Sequence, residues 1–166
     1  MLLLPGCGPG TAAMPPPPPA TETLASRDLD VPLDPERATV AVDLPAALPE
    51  TKGKRLGLYL DVAAPGRTGT YFEVYADLPP GTEPRPAGPH YLGTLSSFGP
   101  RGGAATTVGY DVTKLLRTLA AEGRWNGRMT LTFVRRGLLP PAGKPGVAPK
   151  PAPRSPRLVR VRLVRE

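Results

Sequence analysis

Histidine and cysteine are almost missing from this chain: His90 and Cys7 are single occurrences in 166 residues. One cysteine cannot close an internal disulfide. One thiol and one imidazole cannot assemble a Cys/His zinc site, which needs three or four converging ligands. No apolar run approaches the ~18 residues that would cross a bilayer as a helix. Aromatic residues make up only 5%. The five tyrosines, at 59, 71, 75, 91 and 110, are dispersed, as is Trp125, which reads as strand-face and core-rim packing and not as a sugar-stacking platform. There is no P-loop, no G-x-G-x-x-G, no D-x-D-x-D-G calcium loop and no G-x-S-x-G nucleophile elbow.

Proline (25) and glycine (19) are abundant, but unevenly placed. Seven prolines fall in the first 20 residues and seven more in 137–156. Between them the apolar patterning is ordinary. The chain therefore reads as one globular domain over 36–166, with a disordered Pro-rich leader or tether over 1–30 and a long Pro/Gly-rich loop at 137–156. "MLLLPGC" (1–7) ends like the cleavage box of a bacterial lipoprotein signal, with Leu4 three residues before Cys7, although no Lys or Arg precedes Arg27. It reads either as a lipid anchor on Cys7 or as a flexible leader. "MPPPPPA" (14–20) is polyproline II composition and suits a tether.

The net charge is +7, and the excess is C-terminal: from Arg135 onward there are nine basic residues against one acidic, Glu166. Such an end suits an acidic partner, nucleic acid or an anionic membrane. Yet in "RLVRVRLVRE" Val159, Val161 and Leu163 alternate with Arg160 and Arg162. That is an edge or half-buried strand with a charged outer face. It has neither the aromatics nor the recognition helix of a nucleic-acid reader, and a membrane contact is expected only through Cys7.

A period of two runs through most of the rest. Val40 and Val42 share a face in "ATVAVDL" (38–44), and Leu56, Leu58, Leu60 and Val62 do so in "LGLYLDV" (56–62). In "YFEVYADL" (71–78), Phe72, Val74 and Ala76 oppose Tyr71, Glu73, Tyr75 and Asp77. "HYLGTLSSF" (90–98), "TTVGY" (106–110), "RMTLTFVRR" (128–136) and 157–166 complete about seven strands. One helix interrupts them. Asp111 is an N-cap residue, Val112, Leu115, Leu116 and Leu119 form an i, i+3, i+4, i+7 stripe, and Gly123 sits at the left-handed C′ position, giving a helix over 112–122. The fold class is all-β with one short helix: an antiparallel β-sandwich, jelly-roll-like.

His90 invites a catalytic reading. A triad would need a carboxylate to orient it and a nucleophile to touch it. Ser96 projects to the same side of a strand, but about 20 Å along it at the ~3.3 Å rise per residue. His90 therefore reads as a strand-edge residue. Asp61, Glu73 and Asp77 read as outward strand positions and Asp111 as a cap. "GPRGG" (99–103) reads as a turn. No catalytic, metal or cofactor-binding residue emerges.

Five motifs together resemble the C-terminal domain of tyrosinase-family proteins, the bacterial tyrosinases and plant polyphenol oxidases. "YFEV" (71–74) matches the strand that opens a hairpin there, including Tyr71, Phe72, Glu73 and Val74. "YLG" (91–93) matches the returning strand, with Tyr91 and Gly93. "DVTKLL" (111–116) matches the helix, with Asp111, Leu115 and Leu116. "FVRRG" (133–137) matches a later strand, with Phe133, and "VRVRLVRE" the closing one. The resemblance covers roughly 36–166. It implies a β-sandwich appended to a four-helix domain in which six histidines hold two coppers, and which the sandwich covers and keeps latent. One histidine cannot supply that set, so no copper ligand carries over, and copper is expected only in a partner's catalytic domain.

Two functional expectations follow. One is a non-catalytic tyrosinase-type C-terminal domain that binds, shields or stabilises a type-3 copper phenol oxidase encoded elsewhere. The alternative is an exported, lipid-anchored surface protein binding glycans or envelope components, motivated by Cys7, the proline spacer and the basic end.

Overall fold

Apolar residues at every second position give a strand one face to bury, and two such sheets face to face close a core. A computed structural model describes residues 21–33, 36–50, 53–63, 71–96, 105–137 and 155–166. Its elements in chain order are β1 (Glu22–Pro32), β2 (Arg37–Asp43), β3 (Leu56–Ala63), β4 (Tyr71–Ala76), β5 (Tyr91–Ser96), β6 (Ala105–Asp111), α1 (Thr113–Ala121), β7 (Arg128–Arg136) and β8 (Arg157–Arg165). Cys7 and nearly all of 137–156 lie outside the described residues.

The strands form two four-stranded antiparallel sheets, ordered β1-β8-β3-β6 and β2-β7-β4-β5. Within them β1 pairs with β8, β2 with β7, β3 with β6 and β4 with β5. Each pair is nested inside the one before, as when a long hairpin is rolled up, and the order is that of a jelly roll. Leu58, Leu60, Leu158, Val161 and Leu163 from the first sheet meet Phe72, Val74, Leu95, Leu131 and Phe133 from the second, all at most 1% exposed.

The alternation in β2, β3, β4 and β7 matches the sequence reading closely. Three expectations are corrected. There are eight strands, because Glu22–Pro32, assigned mostly to the leader, is β1. Its residues are largely exposed and alternate poorly, so its order comes from β8: Asp28 lies opposite Arg160 and Glu22 opposite Arg165. The basic C-terminal strand is not an edge but lies between β1 and β3. Its inward residues also change phase. Val62 faces Leu158 and Asp61 faces Arg160, so Val159 is the extra residue of a bulge; the inward residues are Leu158, Val161 and Leu163, and Val164 is buried as well.

The helix keeps its stripe, with Val112, Leu116 and Leu119 buried and Leu115 packed beside them. The N-cap is Val112 and not Asp111. Asp111 closes β6, and its Oδ1 accepts the Thr113 N–H at 2.9 Å, which ties down the first orphan donor from one residue further back. At the other end Gly123 has φ +65. Its N–H bonds the Ala120 carbonyl, and Arg124 N–H bonds that of Leu119, the double closure of a Schellman motif.

Candidate functional site

The motif residues converge in the second sheet. β4 runs between β5 and β7, and Val74 lies opposite Gly93 on one side and Phe133 on the other. Phe72, Val74 and Phe133 point into the core. Asp111, Leu115 and Leu116 stand apart, at the end of the first sheet and on α1. The link between the groups is Tyr110, whose hydroxyl donates to the Thr94 carbonyl at 3.1 Å.

On the outer face of β4 the picture departs from the sequence reading. Glu73 was expected to face solvent, but it is 8% exposed, and Tyr75 is 1% exposed. Glu73 Oε2 accepts from the Tyr75 hydroxyl at 2.9 Å and from Arg136 Nε at 3.0 Å. Tyr91 packs tilted on Tyr75 with ring centroids 5.5 Å apart, while Tyr71, opposite Arg136, is exposed. Burial pushes the Tyr75 phenol up to about 12, helped by the Glu73 hydrogen bond and charge. The same carboxylate raises Arg136 above the usual guanidinium value. Both donors fall on Oε2, so one carboxylate oxygen ties β4 to β7.

Tyr75 is covered by the segment 77–90, which leaves β4 and returns as β5. Asp77 starts it in the left-handed region, φ +48. Its N–H donates to the Thr130 carbonyl and its Oδ1 accepts the Thr130 N–H, both at 2.8 Å. Burial raises the Asp77 carboxyl above its ordinary value. His90 ends the segment: its carbonyl accepts from Ala76 N–H at 2.8 Å, and its Nδ1 lies 2.9 Å from the Ala76 carbonyl. A carbonyl only accepts, so Nδ1 carries the proton. Beneath the segment is a cavity of about 210 Å³ bordered by Tyr75, Leu78, Thr82, Pro89 and His90, with Glu83 and Arg85 beside it.

His90 immediately precedes β5 and Ser96 is its last residue, one beside Ala76 and the other opposite Tyr71, so no dyad forms. Among the described residues no three His, Cys, Asp or Glu side chains converge as metal ligands. A single imidazole held by a backbone carbonyl does not fit a copper pair that six histidines would hold.

The first sheet's outer face was read only as a charged strand. Each of the four arginines of β8 meets a carboxylate of the same chain: Arg157 with Asp30, Arg160 with Asp28 at 2.6 Å, Arg162 with Asp61 at 3.1 Å, and Arg165 with Glu22. Asp61, expected outward, is 8% exposed because Arg162 and Thr107 both donate to it. Tyr59 lies beside them, with Arg162 over its ring at 5.7 Å and its hydroxyl donating to Glu166. Nothing in local spacing signals these pairs. They depend on which strands become neighbours.

No protein-family model matches this sequence, and no curated protein is similar to it. Solved structures share the fold. Recombinant latent aurone synthase, a polyphenol oxidase, superposes with a TM-score of 0.56 at 16% identity, over 82% of this chain and 25% of that one. The same enzyme from its natural source gives 0.53 at 16% identity, over 84% and 26%. Latent apple tyrosinase gives 0.52 at 16% identity, over 83% and 28%. The chain thus has the fold of one region of polyphenol oxidases and spans about a quarter of their length, as a single appended domain would.

Proposed function

We propose that this chain is a non-catalytic tyrosinase-type C-terminal domain that binds, shields or stabilises a type-3 copper phenol oxidase carried on another polypeptide. The observation that carries the reading is the asymmetry of the match: more than four-fifths of this chain, but only about a quarter of each latent phenol oxidase. The sequence motifs support the same region, in order. The single histidine leaves the copper chemistry to a partner.

The test is to mix the purified chain with a histidine-rich copper phenol oxidase from the same genome. Co-elution and a changed rate of phenol oxidation are expected. Separate elution with an unchanged rate overturns the reading.

A further inference from the structure

The cavity under the 77–90 segment has features that the accessory reading does not use. It is rigidly framed. Five prolines (79, 80, 84, 86 and 89) fix backbone angles along the segment, and Thr82 N–H to Pro79, Gly88 N–H to Arg85 and Tyr91 N–H to Gly88 pin its turns at 2.9–3.1 Å. Its walls include Tyr75, Leu78 and Pro89. Its volume, about 210 Å³ and open to solvent on one side, leaves room for a single aromatic ring.

One polar group is left over. With Nδ1 donating to Ala76, the imidazole in its neutral form offers Nε2 as an acceptor on the opposite edge of the ring. In that form Nε2 is the ring's remaining polar atom, and His90 lines the pocket. Glu83 and Arg85 are largely exposed and turn to each other, 3.7 Å apart, so they do not claim it.

We propose that this cavity binds a small neutral arene carrying one N–H or O–H donor, with the ring against Tyr75, Leu78 and Pro89 and the donor on His90 Nε2. The site is independent of any oxidase partner. It stands on the largely apolar wall of a pocket open to solvent on one side and on the Nδ1 hydrogen bond that orients His90.

Indole is a suitable probe, and indene is its near-isostere without the donor. Because His90 is the one histidine, its imidazole gives a single set of NMR signals that reports this site. Saturable shifts of those signals with indole are expected, with indene binding about fivefold more weakly, the worth of one neutral hydrogen bond. His90→Asn keeps a donor where Nδ1 stands and removes Nε2. Followed on the Gly88 and Tyr91 amides, it should bind indole and indene equally. Leu78→Trp, which fills the cavity, should abolish both. No shift with indole, equal binding of the two probes by the unaltered protein, or a preference for indole that survives in His90→Asn would each overturn the proposal.

Discussion

The ring of Tyr110 occupies the space that a side chain at Gly93 would need. A Cβ on Gly93 would sit 2.8 Å from Tyr110 Cε1 and 3.2 Å from Cδ1, and the backbone there has φ +151. The two residues belong to different sheets, β5 and β6, so this contact joins the layers near an edge. Gly93→Ala should destabilise the domain by about 2–4 kcal/mol, combining overpacking with backbone strain. Tyr110→Leu in the same chain should recover part of that loss. Denaturant unfolding of the four members of the cycle measures it, and additive losses would show that the contact is not the cause.

Alkali should unfold the protein through its buried phenols. Tyr75 is raised to about 12, and burial also pushes Tyr110 up. A raised folded-state value means that the stabilisation is complete below pH ~10, where an unfolded tyrosine titrates, and is lost as pH climbs through the folded value. For Tyr75 this amounts to about 2–3 kcal/mol lost between pH ~10 and ~12. Glu73→Gln should lower stability at neutral pH by about 1–2 kcal/mol, since it removes the charge facing the half-exposed Arg136. It should leave Tyr75 titrating well above an exposed phenol, because burial is the larger cause. Absorbance titration of the phenolates alongside circular dichroism checks both.

Asp77 carries a charge in a place that suits a neutral amide. Thr130 N–H needs its Oδ1, the backbone is left-handed, and burial raises the carboxyl while Thr130, His90 and Arg124 favour the charge. Asparagine tolerates that backbone and keeps the acceptor. Asp77→Asn should therefore be more stable than the parent near neutrality. The gap should close in acid, where the parent's carboxyl is protonated. Asp77→Ala should be about 2 kcal/mol less stable than Asp77→Asn at any pH, through backbone strain and an orphaned N–H. Thermal melts across a pH series distinguish the three proteins.

The arginines of β8 should bind polyanions only when their partners are removed. Asp28 and Asp30 neutralise Arg160 and Arg157 on an exposed face. Asp28→Asn with Asp30→Asn should retain the protein on a heparin column to higher salt than the parent, with little change in the melting temperature. Unchanged retention would mean that the excess charge resides elsewhere.

The strands that read clearly in sequence are those with one unbroken phase, such as Leu56–Leu58–Leu60–Val62 and Phe72–Val74–Ala76. The helix was legible to within a residue at each end because its apolar stripe and Gly123 are local signals. β1 was not legible, since its Asp and Glu become strand residues only beside the arginines of β8, more than 120 positions away. The bulge at Val159 hid for a related reason: it is a property of the pairing with Asp61 and Val62, not of the strand alone. Glu73 is the instructive error. Polar residues on an alternating strand read as solvent-facing, but here a proline-rich segment and two donors close over that face. The cavity could be found only once Tyr75 and His90 were known to be neighbours.

The nested pairing has a consequence for how the domain is made. β8 fills the slot between β1 and β3, so the first strand synthesised has no neighbour in its own sheet until the last has left the ribosome. Until then β3 presents an open edge beside an empty slot, the kind of surface that aggregates. Pairing partners this distant in sequence close slowly. A chain stopped before Leu158 would lack the centre of a sheet and not a dispensable tail.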